Sequence, residues 1–162
     1  MSDTGSPVLV LSEFLPYQIS ITSNAISNRI AEVYRSQFML KVTEWRVMAV
    51  LGDTGALTQR ELTSLTLMDK VAVNRACKVL EQRGLASRKP NTSDGRSHLL
   101  ALTDAGVAMH DRIVPLAREV EQRLLAPLSA QERQTLKHLL KRLRDHSHTL
   151  GPATVTDGCG AD

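Results

Sequence analysis

The stretch "SDGRSHLLALTDAG", residues 93–106, runs from a polar loop into an apolar segment and then into the start of a helix. Ser, Asp and Gly favour turns, and the apolar residues that follow have the length of a short strand. The segment "LASRK" at residues 85–89 lies before the loop and predicts a partner strand. Together they predict a β-hairpin with an arginine near its tip, in a chain whose other patterns are helical.

Helical patterns lie on both sides of this hairpin. Apolar residues recur at mixed spacings of three, four and seven over residues 11–37, and residues 103–148 contain a long helix and a last one. Pro115 interrupts the long helix and predicts a kink or break near residue 114. A Ser, Thr or Asp precedes each of five helical stretches as a predicted N-cap, namely Thr43, Thr58, Asp69, Thr103 and Ser129.

Two short helices separated by a turn occupy the middle of the chain, in "LTQRELTSL" and "MDKVAVNRACKVLEQRGL". This order predicts a helix-turn-helix, with the hairpin behind it as its wing. The fold class is therefore mainly α with a small β-hairpin wing, a winged helix-turn-helix lobe over residues 42–102. A winged helix does not need the flanking long helices, so they belong to another region, and the polar tail at residues 149–162 is predicted to be disordered.

Length and composition limit the class of protein. The chain has 162 residues, which suits one domain or two small lobes, and its 42% hydrophobic content is enough for a packed core. The first residues lack the basic region of a secretory signal and no segment is apolar over the ~20 residues that span a bilayer, which predicts a cytoplasmic protein with no membrane partner. No nucleophile, phosphate-loop or zinc-ligand motif occurs in the sequence, so we predict no enzyme, no cofactor and no metal site.

Positive charge is concentrated in one part of the sequence. Residues 70–98 carry seven basic and two acidic residues, an excess of five positive charges against three for the whole chain. The basic residues of this stretch are Lys70, Arg75, Lys78, Arg83, Arg88, Lys89 and Arg96. Such a patch is expected where a protein binds a phosphate backbone, although a solvated helix face has the same composition.

The helix that follows Asp69 has two distinct faces. At 100° per residue, the apolar side chains that share one face are Val73, Ala76, Cys77 and Leu80. The opposite face is polar and basic and consists of Val71, Asn74, Arg75 and Lys78. Asn can pair with adenine, Arg with guanine, and Val can contact a thymine methyl group in the major groove, while Lys70 is placed to reach a phosphate. The alternative is that these are ordinary exposed residues.

The loop of the hairpin offers a second contact with DNA. In a winged helix the hairpin tip reaches the adjacent minor groove, where an arginine responds to groove width and negative potential. Arg96 is the candidate, and Asp94 can hold its guanidinium by a charge-assisted hydrogen bond. Asp94 and Gly95 also form a turn dipeptide, and both roles are compatible.

The stretch from residue 42 to residue 106 resembles the MarR (multiple antibiotic resistance regulator) family. The resemblance is carried by "TEWRVMAVL", "LTQRELT", "MDKVAVNRACKVLEQRGL" and above all "SDGRSHLLALTDAG". The wing pattern of the family is Asp-x-Arg, then strand residues, then Leu-Thr-x-x-Gly, which is met by Asp94, Arg96, Leu102, Thr103 and Gly106. The run Ala72-Val73-Asn74 departs from the small hydroxyl residues of many members, so no operator sequence can be transferred.

The resemblance implies a transcriptional regulator, usually a repressor, that acts as a homodimer. Residues 11–37 and 103–148 would form its helical dimerisation region, and the dimer would bind a pseudo-palindromic double-stranded DNA operator. A small effector, often an aromatic (phenolic) acid, would bind between the dimer helices and the DNA lobe and favour a lobe spacing that does not fit DNA.

An aromatic acid needs a cation and a flat apolar wall. Trp45 and Arg46 open the second helix, near the expected site, and His110 with Met109 lies on the fifth. The first helix contributes small and polar candidates, Tyr17, Asn24 and Ser27. We predict that Arg46 binds a carboxylate and that His110 binds a hydroxyl or carboxylate, the alternatives being an ion pair within the fold for Arg46 and an interface histidine for His110.

Two other classes of function remain open. A redox-sensing regulator would act through Cys77 or Cys159, although the position of Cys77 on the apolar face favours a small core residue. A winged-helix module that binds protein would lack salt-dependent affinity for DNA.

Overall fold

The computed structural model describes residues 9–92, 95 and 97–151. Its helices are α1 (Leu15–Phe38), α2 (Val42–Thr54), α3 (Gln59–Thr66), α4 (Lys70–Gln82), α5 (Asp104–Leu124) and α6 (Ala130–Ser147). Its strands are β1 (Leu57–Thr58), β2 (Ala86–Pro90) and β3 (His98–Leu102). The order of elements confirms the predicted fold class, a mainly α chain with a winged helix-turn-helix formed by α3, α4 and the β2–β3 hairpin.

The three strands form one antiparallel sheet in the order β1-β3-β2. In the hairpin, Ala86 pairs with Leu102 and Pro90 pairs with His98, which is the predicted wing. Sequence analysis did not predict β1, in which Leu57 pairs with Leu100, because a strand of two residues has no periodicity of its own. Asp94 and Arg96, in the connecting loop, lie outside the described residues.

Four of the five predicted helix caps are confirmed. Hydroxyl or carboxylate oxygens accept backbone N–H groups three residues on in each case: Thr58 from Glu61 at 3.2 Å, Asp69 from Ala72 at 2.8 Å, Thr103 from Gly106 at 3.1 Å and Ser129 from Glu132 at 3.2 Å. The prediction of Thr43 was wrong. Lys41 is the N-cap of α2, and its backbone N–H donates to the Glu44 carboxylate at 2.8 Å, which starts the helix two residues earlier.

Two other boundary predictions also need correction. The first helix begins at Leu15 and not at residue 11, because residues 11–13 form a turn and the ring of Pro16 suits only the first turn of a helix. Pro115 does not break the fifth helix, since α5 continues to Leu124, and the alternative of a kink near residue 114 stays a prediction.

The core lies where α1, α2, α4 and the sheet meet. The predicted apolar face of α4 is buried there, with Val73, Ala76, Cys77 and Leu80 each at most 2% exposed. The side chains of α1 and α2 that join them are Tyr34, Phe38, Val47, Met48 and Leu51. The C-terminal end of α1 therefore packs into the same core as the winged helix-turn-helix.

The start of α5 is fixed to the turn that follows α4. Gly84 ends α4 in a left-handed conformation with φ 66°, and the Thr103 hydroxyl donates to its carbonyl oxygen at 2.6 Å. The Thr103 N–H donates to the Leu85 carbonyl at 3.1 Å. Gly106 is required by the same contact, because a Cβ at this position would lie 1.9 Å from the Leu85 oxygen. These bonds give the Leu-Thr-x-x-Gly pattern its physical meaning.

The chain divides into two compact units, Met1–Glu121 and Gln122–Asp162. The first contains α1 to α4, the sheet and most of α5, and the second contains α6. The assignment of residues 11–37 and 103–148 to a dimerisation region stays a prediction, as does disorder of the tail, most of which lies outside the described residues. None of the described helices is both long enough and apolar enough to cross a membrane.

Replacement of Gly106 by alanine should destabilise the fold. The atom that the new methyl group meets is backbone, so α5 or the preceding turn must move, at a cost of about 1–3 kcal/mol. Urea unfolding followed by circular dichroism measures this loss. The matched control is Gly151→Ala, because a Cβ at Gly151 meets nothing within 4 Å. Equal stability of the two variants would contradict the tight contact with Leu85.

Candidate DNA-binding face and ligand cavity

The solvent-facing side of α4 carries the residues predicted to contact DNA. Lys70, Val71, Arg75 and Lys78 are exposed and Asn74 is half-buried. Val71, the apolar member of this face, is 59% exposed. Within the part of the chain that the structure describes, the three cations form no ion pair. Their charge is therefore available to an anionic partner.

Local capping holds α3 and α4 in place. The Glu61 carboxylate accepts the Thr58 backbone N–H and hydroxyl, both at 2.7 Å, and these bonds lower the pKa of Glu61. The cap at the start of α3 is thus formed at neutral pH. Leu67 ends α3 in a left-handed conformation with φ 52°, which makes the tight turn before the Asp69 cap of α4.

Two residues of the basic stretch serve the fold. The Arg83 guanidinium donates to the carbonyl oxygens of Phe38 at 2.9 Å and Met39 at 3.0 Å, which are at the end of α1. The Arg88 side chain pairs with Glu81 at 2.8 Å. The charge excess counted from the sequence therefore overstates the cations available to DNA. Lys89 remains exposed on β2, and Arg96 lies outside the described residues.

A cavity of about 370 Å³ lies between α1 and α2. Its walls are formed by Ser27, Ile30 and Tyr34 of α1 and by Val42, Trp45, Arg46, Ala49, Val50 and Asp53 of α2. The volume is in the range of small-molecule sites. The structure thus brings three of the predicted ligand residues together, Ser27, Trp45 and Arg46. Sequence analysis did not predict the other residues that line the cavity. Three of them, Ala49, Val50 and Asp53, nevertheless have the spacing that places them on one helix face with Arg46.

The cavity combines a flat aromatic wall with charged groups. The rings of Tyr34 and Trp45 lie 4.8 Å apart at an angle of 39°. Burial raises the pKa of Tyr34 to about 12, against the opposing effect of a hydrogen bond with the Trp45 side chain. The phenol is therefore neutral at physiological pH, and Arg46 is the cation of this cavity.

The structure places His110 against Trp45 but not in the wall of the α1–α2 cavity. The two rings stack with centroids 5.7 Å apart, and His110 lines a second cavity of about 240 Å³. Its Nδ1 lies 3.3 Å from a carboxylate oxygen of Asp111. The imidazole fits against α2 because Gly52 has no side chain, since a Cβ there would lie 2.4 Å from Nε2.

The remaining predicted ligand residues are not in either cavity. Tyr17 and Asn24 are exposed on α1, and neither lines the walls of the two cavities. Met109 is half-buried and packs against the core. The structure therefore does not bring these three side chains to the α1–α2 cavity, and His110 can act on it only through the Trp45 ring.

Cys77 is a core residue. It is 1% exposed, and burial raises the pKa of its thiol to about 11. The thiolate is the reactive form of cysteine, so this thiol is protected both by burial and by protonation. Cys159 lies outside the described residues. Within the described ranges, no group of three or more His, Cys, Asp or Glu side chains is arranged to hold a metal ion.

Comparison with known proteins assigns this geometry to a family. A sequence model of the MarR family matches residues 40–97, which contain α2 to α4 and the first strand of the wing, β2. The multiple antibiotic resistance protein MarR of Salmonella typhimurium is 30% identical over 124 residues, which cover 74% of this chain and 84% of that protein. This chain belongs to the MarR family.

The names of other MarR-family relatives state the functions of proteins similar to this chain. The HTH-type transcriptional repressor NicR of Pseudomonas putida is 29% identical over 104 residues, 64% of this chain and 66% of NicR. A crystal structure of a mutant MarR from E. coli complexed with operator DNA is 27% identical, has a TM-score of 0.72, and covers 84% of this chain and 99% of that one. The family consists of DNA-binding transcriptional regulators, which agrees with the exposed face of α4.

The buried thiol of this MarR-family chain should react slowly. With a pKa of about 11, roughly one thiol in a thousand is ionised at pH 8, and burial slows its reaction further. A Cys159→Ser variant isolates Cys77, and its reaction with an aromatic disulfide reagent can be followed by absorbance. We expect no fast phase in buffer and full reaction in guanidinium chloride. A fast phase in the native protein would restore the redox-sensing alternative.

Proposed function

We propose that the protein is a homodimeric repressor that binds a pseudo-palindromic operator and is released by a small aromatic acid. The observation that carries the proposal is the face of α4, where Lys70, Arg75 and Lys78 are exposed and unpaired within the described part of the chain. A fold that engages Arg83 and Arg88 internally but leaves these three cations free favours an anionic partner.

The proposed mode of DNA binding follows from the position of these side chains on α4. Insertion of α4 into the major groove directs Asn74 and Arg75 towards base edges, where they can bind adenine and guanine respectively. Lys70 and Lys78 would contact phosphates. We extend the proposal to the wing, where Arg96 would enter the minor groove with Asp94 holding its guanidinium.

Exposed apolar side chains support the proposed homodimer. On α6, Leu136, Leu139, Leu140 and Leu143 follow a helical spacing and are 40–48% exposed. The N-terminal part of the first unit exposes further apolar side chains, which include Leu11, Phe14 and Leu15. Apolar stripes of this kind are typical of surfaces that associate. The proposed partner is a second copy of the chain, because a two-fold symmetric dimer matches the two-fold symmetry of a pseudo-palindromic operator.

The α1–α2 cavity supports the proposed effector class. Arg46 provides a cation for a carboxylate, and Tyr34 and Trp45 provide the aromatic wall. The name of the relative NicR, a transcriptional repressor, favours repression over activation. Release from DNA requires the acid to bind more tightly to the conformation that does not bind DNA, as in any population shift.

Base contacts and phosphate contacts on α4 can be separated by mutation. Asn74→Ala should cost about 1–3 kcal/mol on the operator and relax the preference at one position of each half-site. Lys78→Ala should weaken binding to all sequences alike and reduce the slope of log Kd against log salt by about one per monomer. Fluorescence anisotropy on operator variants at several salt concentrations measures both. If Asn74→Ala weakens every DNA equally, Asn74 contacts the backbone.

Aromatic acids should release the protein from DNA through Arg46. We expect 2-hydroxybenzoate or 4-hydroxybenzoate to lower the anisotropy of a labelled DNA taken from upstream of the protein's own gene. Arg46→Gln should abolish this release while DNA binding is kept, and Arg118→Gln on the exposed side of α5 is the charge-matched control. Binding that no acid affects would leave the DNA-binding role intact and contradict the effector class. No salt-dependent affinity for any DNA would favour the protein-interaction module.

A further inference from the structure

The α1–α2 cavity contains a second charged group besides Arg46. Asp53 lines the same cavity from the same helix, seven residues after Arg46. Seven residues are about two turns, so the two Cα atoms lie on one face of α2 and about 10.5 Å apart along its axis. Across the described residues no ion pair joins the two side chains. The cavity thus has a positive end, an apolar middle and a negative end.

The position of Asp53 is unfavourable for the fold. It lies in the last turn of α2, where the carbonyl ends of the helix disfavour a negative charge, and no basic residue occupies that turn. In the described structure no side chain donates a hydrogen bond to its carboxylate. Its neighbour Thr54 donates instead to the Val50 carbonyl at 2.6 Å. A residue that breaks a local rule without compensation within the chain is a candidate for a role in binding.

The middle of the cavity is aromatic and apolar. Tyr34 and Trp45 present their rings 4.8 Å apart, and Ile30, Val42 and Val50 complete the apolar lining. An ionised Arg only donates hydrogen bonds and an ionised Asp only accepts them. A ring held in the middle is therefore matched by an acceptor group at the Arg46 end and a donor group at the Asp53 end.

We propose that Asp53 determines effector specificity by accepting a hydrogen bond from a donor group opposite the effector's carboxylate. The effector is then an aromatic acid that also carries an amino, hydroxyl or ring N–H group on the far side of the ring. The inference rests on the proposed binding of an aromatic acid at Arg46. An acid without the donor leaves the Asp53 carboxylate without a hydrogen-bond partner in the complex, and polar sites discriminate against such ligands.

The sole tryptophan of the chain allows a direct test. Trp45 is in the cavity wall, so its fluorescence reports ligand binding there. The matched probes are 4-(aminomethyl)benzoate and 4-ethylbenzoate, which have the same shape and differ in one end group, a protonated amine that donates hydrogen bonds in the first and a methyl group in the second. We expect the wild-type protein to bind 4-(aminomethyl)benzoate about 10- to 100-fold more tightly than 4-ethylbenzoate, which is the effect of a hydrogen bond to a charged group. Arg46→Gln should weaken the binding of both probes.

The Asp53→Asn variant decides the role of the carboxylate. It should lower the affinity for 4-(aminomethyl)benzoate by about the same factor and leave the affinity for 4-ethylbenzoate equal or higher. Asp111→Asn, which removes an exposed carboxylate from the second cavity, should keep the wild-type preference. A general loss of folding in Asp53→Asn would weaken both probes, and it would be seen in the unfolding curve.

The outcomes separate this inference from the proposed function. If the two probes bind the wild-type protein equally, or if Asp53→Asn keeps the preference, the role of Asp53 is overturned while the Arg46 site stands. If neither probe changes the fluorescence of Trp45 or releases DNA, the aromatic-acid effector fails and the inference fails with it.

Discussion

The arrangement of the helices in this fold depends on the contacts made at the end of α4. Three consecutive residues there make contacts in three directions. Arg83 binds the carbonyl oxygens of Phe38 and Met39 at the end of α1, and the Arg112 guanidinium lies 5.3 Å from the Phe38 ring centroid. Gly84 turns the chain into β2, and the Leu85 carbonyl holds the start of α5. The helix proposed to contact DNA is therefore oriented by the long helices and not only by the winged-helix core.

The contacts at the end of α4 lie close to the candidate cavity. Tyr34 lines the cavity wall, and the carbonyl that receives Arg83 belongs to Phe38, one helical turn later on α1. Met39 then ends α1 with φ 53°. A ligand that shifts α1 against α2 acts on the segment whose carbonyl groups anchor the end of α4. The two sites of the proposed regulator are thus joined by a contiguous set of contacts through α1 and the Arg83 guanidinium.

The sequence predicted local features better than distant ones. The caps of Thr58, Asp69 and Ser129 followed from side chains that bind backbone three residues away, and the buried face of α4 followed from helical periodicity. The role of Arg83 did not, because its carbonyl partners lie 44 and 45 residues away. β1 exists only through its pairing with β3, and the cap of α2 moved to Lys41 because Glu44 reaches back to its N–H. Asp53 was missed although it follows Arg46 by seven residues on one face of α2, because that spacing does not show that α1 closes a cavity over this face.

The aromatic residues explain why this cavity can be selective at its ends. Tyr34, Trp45 and His110 follow one another in ring contact, and the last ring is seated where Gly52 has no side chain. The Trp45 ring is therefore held by two ring contacts and loses little freedom when a ligand binds beside it. The charged groups of Arg46 and Asp53 are exposed by comparison. A rigid apolar middle fixes where a ring lies, and the ring in turn fixes which substituents meet the two charges. Discrimination between effectors then depends on hydrogen bonds at the ends of the ring, because the apolar middle accepts rings of similar size almost equally.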